Sequence, residues 1–505
     1  MPLAVHDLRR VAESPALSGE EQSELRSGAG RVRSRARSSG RSDVGVFVRQ
    51  LWQWLLPIWQ SPGLIALVLG VGLFLNGFDG TVGQAVACLV NSLLLMVLVL
   101  SRPPSLRFWR RTMPVLRFVV GALLWLVIVR FSALWMPGAG VPLAPDMFLP
   151  KFLSILAGLA ALLVGARAGW RGRRRQDLID ALLVVISVHL ALAVILRALP
   201  HGGVWDSWML VRDQRFAGLI GNPNVTAAVC GAAALLAVAS GLGLIARRAR
   251  GAGRQADGAR AMLYGGALLL ALSSQLLTAA RFPVLMTLGL IALLMLGERR
   301  RIRLRARQFV PALATAGTIV VALLILYSDL WLERFASLGG EAGMRMQLWS
   351  QFASAVWEAP ILGYGAGSFS ALNAHILSDN VGAPATWTVN SPHNLLLQLL
   401  LNGGLPYAAL MILAAVRLVG DINSRWPWRT WDALQRGLAL AVILFVACSM
   451  VDIVLDFPAT TGLMLFLAGI AWGQALSRQP AFVQLEQAPA QEDALIGRRL
   501  ARKLK

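Results

Sequence analysis

Three residues combine a reactive side chain with a distinctive local sequence. Arg215 lies in RFAGLIGNPN (215–224), Arg281 in LLTAARFPVL (276–285) and His393 in SPHNLLLQLLLNGG (391–404). An arginine presents a planar fork of donors that matches phosphate oxygens. A histidine titrates near neutrality and can take a proton from a hydroxyl. Each has a plainer reading. Arg215 could hold a lipid headgroup or a carboxylate such as Asp213, Arg281 could anchor an exposed hairpin tip, and His393 could be satisfied by local hydrogen bonds. Asp452 and Asp456 are four apart, so a metal between them is conceivable. Solvated loop residues, or partners for an arginine, are the simpler reading. Of the remaining histidines, His189 falls in the middle of an apolar run and reads as structural, while His6, His201 and His375 have no distinctive context. No Ser/His/Asp order and no HExxH pattern is present, and Cys88, Cys230 and Cys448 fall inside apolar runs with no disulfide or metal spacing.

These residues must be positioned by membrane helices. The chain has 505 residues, 56% of them apolar and only 15% charged, and its formal net charge is +22. A basic disordered protein would lack that apolar content. A soluble enzyme would carry nearer a quarter charged residues, and a nucleic-acid binder would show a continuous basic surface. The composition predicts an all-α polytopic membrane protein. Runs of about 20 apolar residues can cross a bilayer, and twelve candidates appear: 63–77, 82–100, 114–133, 152–166, 176–198, 225–246, 261–279, 281–296, 308–328, 393–416, 434–451 and 460–476. Trp52, Trp54 and Trp59 precede the first and read as interfacial anchors, or as the start of a longer first helix.

The basic residues orient these spans. Every second loop, together with both tails, holds 39 of the 48 Lys and Arg, and the other loops hold six: Lys151, Arg212, Arg215, Arg281, Arg334 and Arg345. Basic loops stay in the cytoplasm, so both termini are expected there, and Arg215, Arg281 and His393 on the opposite side. The expected organisation is a basic tail over 1–50, spans one to nine over 51–328, a large loop over 329–392, spans ten to twelve over 393–476 and a basic tail over 477–505. The first apolar run begins too late for a cleavable signal peptide. The 64-residue loop is too long for a plain connector. Within it, Met344, Leu348, Phe352 and Val356 recur at helical spacing, which predicts a helix on the membrane surface or over a cavity. Gly363, Gly365 and Gly367 after Pro360 read as a tight turn and not as a phosphate loop.

The ordered set RFAGLIGNPN (215–224), TAARFPVL (278–285) and PHNLLLQLLLNGG (392–404) resembles the signature of the O-antigen ligase/polymerase superfamily. MRMQLWSQFASAVWEAPILGYGAGSF (344–369) resembles that family's loop pattern ending in Gly-x-Gly-x-Gly-x-Phe. The resemblance covers roughly residues 60–475 and is strongest to the ligases that complete lipopolysaccharide. It implies a fold related to the C-type glycosyltransferase class and an inner-membrane enzyme with a periplasmic active site. It also implies metal-independent, inverting transfer of O-antigen polysaccharide from undecaprenyl diphosphate to a sugar hydroxyl of lipid A–core. The family's essential arginines map onto Arg215 and Arg281 and its essential histidine onto His393. Arg345, Asn394 and Gln398 become secondary candidates for binding substrate. The family often has Ser where this chain has Ala280, so any role of that hydroxyl is absent here. The implied partners are the lipid-linked donor, lipid A–core and membrane lipids, with no cofactor and no nucleic acid. The rival readings are an O-antigen polymerase, a protein O-oligosaccharyltransferase and a non-enzymatic transporter of lipid-linked glycans. Against the last, the two halves of the sequence display no inverted repeat of broken helices.

Overall fold

The computed structural model describes residues 61–101, 103–136, 141–172, 175–199, 215–252, 255–298, 325, 328–378 and 389–478. All regular structure among them is helical. The chain is a polytopic membrane protein, and nine of the described helices are long and apolar enough to cross a membrane. In chain order the helices are α1 Pro62–Phe74, α2 Gly80–Ser101, α3 Leu106–Arg130, α4 Phe148–Arg171, α5 Arg175–Ala198, α6 Pro223–Ala249 and α7 Asp257–Leu277. Then come α8 Arg281–Glu298, α9 Ser328–Ala336, α10 Leu338–Glu358, α11 Phe369–Ser378, α12 Leu395–Arg425, α13 Ala433–Ser449 and α14 Pro458–Ser477. Eleven of the twelve expected spans coincide with α1–α8 and α12–α14, of which α1 and α13 are the two shorter apolar helices. The remaining span, 308–328, lies almost wholly outside the described residues, as do Trp52, Trp54, Trp59, Arg212, the tail 1–50 and the tail beyond residue 478.

The helix ends differ from expectation most at α12, which runs on to Arg425 instead of ending at 416, and at the start of α3. The third span, expected over 114–133, begins at Leu106, because the Ser105 hydroxyl accepts from the Phe108 amide and caps the helix. Pro114 therefore sits inside α3, and Arg107, Arg110 and Arg111 ride on its first turns instead of in a loop. Arg111 is held there by the carbonyls of Leu476 and Arg478 at the end of α14.

Of the nine long apolar helices, α6 and α14 are the most deeply buried. α6, rich in alanine, packs against α7, α8 and α13. α14 packs closely against α4 through two pairs of glycines spaced four apart, Gly165 and Gly169 facing Gly469 and Gly473. A Cβ built on Gly473 would come within 1.9 Å of the Ala166 carbonyl oxygen, so only glycine permits this backbone approach.

The polar contacts between helices fall into two groups, one at each end of the bundle. At one end Arg175 meets Asp432, Arg260 meets Asp177 and Asp180, and Arg436 meets Glu298. These residues belong to the arginine-rich alternate loops. At the other end lie Arg215, Arg281, Arg334, Arg345 and Lys151 with their partners.

α9, α10 and α11 cover that second end. Trp331 of α9 packs with Leu276, Ala279 and Val284 on the α7–α8 turn. α10 buries Leu348, Phe352 and Val356 with Phe369 and with Leu401 of α12, so the predicted loop helix exists and its apolar stripe faces inward. The glycine turn after it locks onto a break in α12 at Gly403–Gly404. Tyr364 donates its amide to the Leu401 carbonyl at 2.7 Å, and Leu405 donates to the Pro360 carbonyl at 2.8 Å. A carbonyl and an amide that the broken helix would leave unpaired are satisfied in this way.

Candidate functional site

The RFAGLIGNPN segment folds as a turn that ends in a helix cap. Gly221 adopts φ 76°, and the Asn222 side chain accepts from the amides of Asn224 and Val225 at 2.9 and 3.1 Å, with Pro223 in the first turn of α6. Arg215 is held across this turn. Its Nε donates to the Thr278 carbonyl at 2.9 Å and its Nη2 to Asn224 Oδ1 at 3.0 Å. Asn224 turns its amide nitrogen to Asp452 Oδ2 at 2.6 Å, and the same oxygen accepts from Arg345 Nη2 at 3.1 Å. A single relay, Arg215–Asn224–Asp452–Arg345, therefore joins four elements. Asp452 is 8% exposed and is the arginine partner that the sequence allowed for. Asp456 goes elsewhere, to Lys151 at 3.2 Å and to the Ser391 hydroxyl, so the two carboxylates do not share a ligand.

Arg281 opens α8 immediately after a turn in which Ala279 has φ 47°, a left-handed conformation costly for a residue with a Cβ. The turn holds because Thr278 bonds the Gln275 carbonyl and the Ala280 amide, and because Trp331 covers Ala279. Arg281 Nη2 meets Glu341 Oε2 at 2.5 Å, and its Nη1 bonds the Arg334 carbonyl. Arg334 grips the same Glu341 carboxylate through both of its terminal nitrogens. One carboxylate thus sits between two guanidinium groups.

His393 also has a left-handed backbone, φ 52°. Its Nδ1 lies 2.8 Å from the Ser391 carbonyl oxygen. A carbonyl can only accept, so Nδ1 carries the proton and Nε2 of the neutral ring is left as an acceptor.

Arg215, Arg345 and His393 line one cavity of about 410 Å³, together with Asn224, Arg334, Glu341 and Asp452. Arg281 lines an adjoining cavity of about 290 Å³, whose walls share Asn224, Arg334, Glu341, Arg345 and Asp452 with the first. Residues 178 positions apart in sequence, Arg215 and His393, thus face one space that runs on to Arg281. The other two candidates are placed differently. Asn394 caps α12, its Oδ1 accepting from the Leu397 amide and its Nδ2 donating to the Met450 carbonyl. Gln398 lines a third cavity, with Lys151 and Asp456. Arg334 and Glu341 were not singled out from the sequence. Arg334 was visible only as one of the six basic residues on the sparse side, and Glu341 gave no signal.

Together the two adjoining cavities present four arginines against two carboxylates, Glu341 and Asp452. The net positive balance favours an anionic ligand, and the guanidinium forks favour phosphate oxygens. An imidazole whose Nδ1 is turned to the Ser391 carbonyl stands on the same wall.

No curated protein matches the chain. Residues 266–412 match the family model described as O-antigen ligase. That segment holds Arg281, Arg334, Glu341, Arg345 and His393, while Arg215, Asn224 and Asp452 lie outside it and are brought to it by the fold.

Proposed function

We propose that the chain is a ligase of the O-antigen ligase/polymerase superfamily, whose family model matches residues 266–412, and that it moves O-antigen polysaccharide from undecaprenyl diphosphate to a sugar hydroxyl of lipid A–core. The observation that carries the proposal is the shared space lined by Arg215, Arg281 and His393. In this reading the enzyme is an inner-membrane protein with both termini in the cytoplasm, and the cavity faces the periplasm.

The acceptor hydroxyl oxygen attacks the anomeric carbon of the donor sugar. The bond from that carbon to the diphosphate oxygen breaks, the configuration inverts, and undecaprenyl diphosphate leaves. The hydroxyl proton passes to Nε2 of His393, whose tautomer is set by the Ser391 carbonyl. Charge accumulating on the leaving diphosphate is met by Arg215 and Arg281, with Arg334 and Arg345 adding to the field. These fixed cations supply the stabilisation, so the reaction needs no metal.

The test offers the purified full-length protein a polyprenyl diphosphate-linked polysaccharide with one of three acceptors: rough-type lipopolysaccharide, a second lipid-linked chain or a pilin-type protein. New glycosidic product on the lipopolysaccharide alone is expected. Product on the lipid-linked chain would make the protein a polymerase, and product on the pilin an oligosaccharyltransferase. Movement of the donor across a vesicle with no new glycosidic bond would make it a transporter. Loss of activity to a chelator, restored by Mg²⁺ or Mn²⁺, would overturn the metal-free mechanism.

A further inference from the structure

Glu341 occupies the place that an anionic ligand would take. Its Oε1 accepts from Arg334 Nη1 and from the Ser337 hydroxyl at 3.2 Å, and its Oε2 from Arg281 Nη2 at 2.5 Å and Arg334 Nη2 at 3.0 Å. Three guanidinium donors and a hydroxyl thus converge on one carboxylate, a donor set that would equally serve a phosphate group. A ligand can reach them. Arg281 is 13%, Glu341 22% and Arg334 23% exposed, and all three line the cavity of about 290 Å³.

The other carboxylate of the site is built differently. Asp452 is buried and tied to both Asn224 and Arg345. Glu341 instead rides on the start of α10 among Gly339, Gly340 and Gly343, all exposed. A Cβ built on any of these glycines meets nothing within 4 Å, so no close packing demands them. Glycine is the poorest helix former after proline. The start of α10 is therefore weakly wound and unpacked, while Leu348, Phe352 and Val356 anchor the rest of the helix. The carboxylate that holds two arginines is thus the one mounted to let go of them.

We propose that Glu341 is a displaceable stand-in for the diphosphate: it holds Arg281 and Arg334 before the donor binds, yields them to the donor, and returns to expel the product. The proposal rests on the transferase reading above for the product, but not for the displacement itself. As the glycosidic bond breaks, the diphosphate changes from a diester to a monoester and takes on further negative charge. Arginines that stabilise this charge in the transition state also hold the product more tightly than the donor. Release is then slow unless another anion takes the product's place. A carboxylate tethered beside the site does so at high effective concentration.

The experiment uses full-length protein in nanodiscs. Inorganic pyrophosphate is the binding probe, measured by calorimetry. Transfer from a polyprenyl diphosphate-linked polysaccharide to rough-type lipopolysaccharide is followed in single-turnover and steady-state modes. Glu341→Gln is expected to bind pyrophosphate about tenfold more tightly, the scale of one charge-assisted hydrogen bond no longer contested. Its first turnover is expected to outrun the later ones, giving a burst absent from wild type, with kcat and donor KM both lowered. Glu341→Asp, which keeps the charge, is expected to restore weaker binding. Combining Gly339→Ala, Gly340→Ala and Gly343→Ala stiffens the turn without a clash. This variant is expected to act in the opposite sense, weakening pyrophosphate binding and raising donor KM several-fold, and it carries the test if Glu341→Gln misfolds. Pyrophosphate bound equally by wild type and Glu341→Gln, or by wild type and the triple alanine variant, would overturn the displacement. Tighter binding without a burst would overturn the expulsion of product. Tighter pyrophosphate binding by Glu341→Gln in a protein that transfers no glycan would sink the transferase reading and leave the displacement standing. Transfer at the wild-type rate with pyrophosphate affinity unmoved in every variant would do the reverse.

Discussion

At Arg281 the positive charge is already answered by Glu341, which also holds Arg334. In the proposed reaction a donor diphosphate must compete with that carboxylate. Glu341→Gln is therefore expected to lower donor KM several-fold, since like charge beside the phosphate is removed. A rise in KM would mean that Glu341 chiefly orients the arginines. Arg215→Ala and Arg281→Ala are each expected to reduce kcat by about 10²–10³, the scale for losing one stabilising donor in a transition state. Lysine at either position should recover little, because an ammonium has no fork to span two oxygens. Folded, membrane-inserted variants with near-normal turnover would remove these arginines from the mechanism. His393→Ala is expected to cost about 10²–10⁴ in kcat, with donor KM little changed. Single-turnover transfer at the wild-type rate would exclude His393 as the base. The residue types were legible in the sequence. The tautomer of His393 was not, because it depends on a carbonyl two residues back that a left-handed backbone brings to Nδ1.

At the scale of the element, the site depends on helix ends being fixed to within an ångström. α4 and α14 achieve this with glycines at four-residue spacing, a pattern readable in the sequence as small-xxx-small but not singled out there. Gly473→Leu would drive a side chain into the Ala166 backbone. It should destabilise the bundle by about 3 kcal/mol or more, as overpacking of a rigid interface does. An unchanged thermal midpoint in detergent would show that α4 and α14 can move apart. The break in α12 is a second device of this kind. Gly404, at φ 68°, lets the Ile361 carbonyl approach where any Cβ would collide, and this seats the covering loop. The apolar stripe of α10 was predictable from its period. The surface that receives it was not, because α12 supplies it from the far side of the turn.

For the whole molecule, separating charge between two ends has an energetic consequence. The basic end contains a buried ion pair, Arg436 with Glu298 at 2.7 Å, each side chain near 5% exposed. Counting by loops treats Arg436 as one more cytoplasmic charge, whereas the fold uses it to tie α13 to α8. Glu298→Gln leaves a buried cation uncompensated and is expected to cost about 3–5 kcal/mol. The double change Glu298→Leu with Arg436→Met should cost less than the single one. Thermal unfolding of both variants checks this, and equal losses would mean that the pair contributes by packing alone. Activity per folded molecule should be unaffected by either change, because this end is opposite the arginine cavities.

The amino-acid sequence by itself determined the class and the position of eleven spans, and it predicted which loops share a side. These are set by short-range chemistry: about 20 apolar residues to cross a bilayer, and arginines retained on one side. It also marked Arg215, Arg281 and His393, because charged and titratable groups are scarce at helix ends on that side. Only the tertiary structure decided which groups meet. Asp452 went to the arginines and Asp456 to Lys151, although they are four residues apart. Asn394 became a helix cap, and Gln398 faced a different cavity from His393. The physical reason is that these outcomes depend on where turns point side chains across gaps of tens to hundreds of residues. Helix packing sets those directions, and no local period in the sequence encodes them.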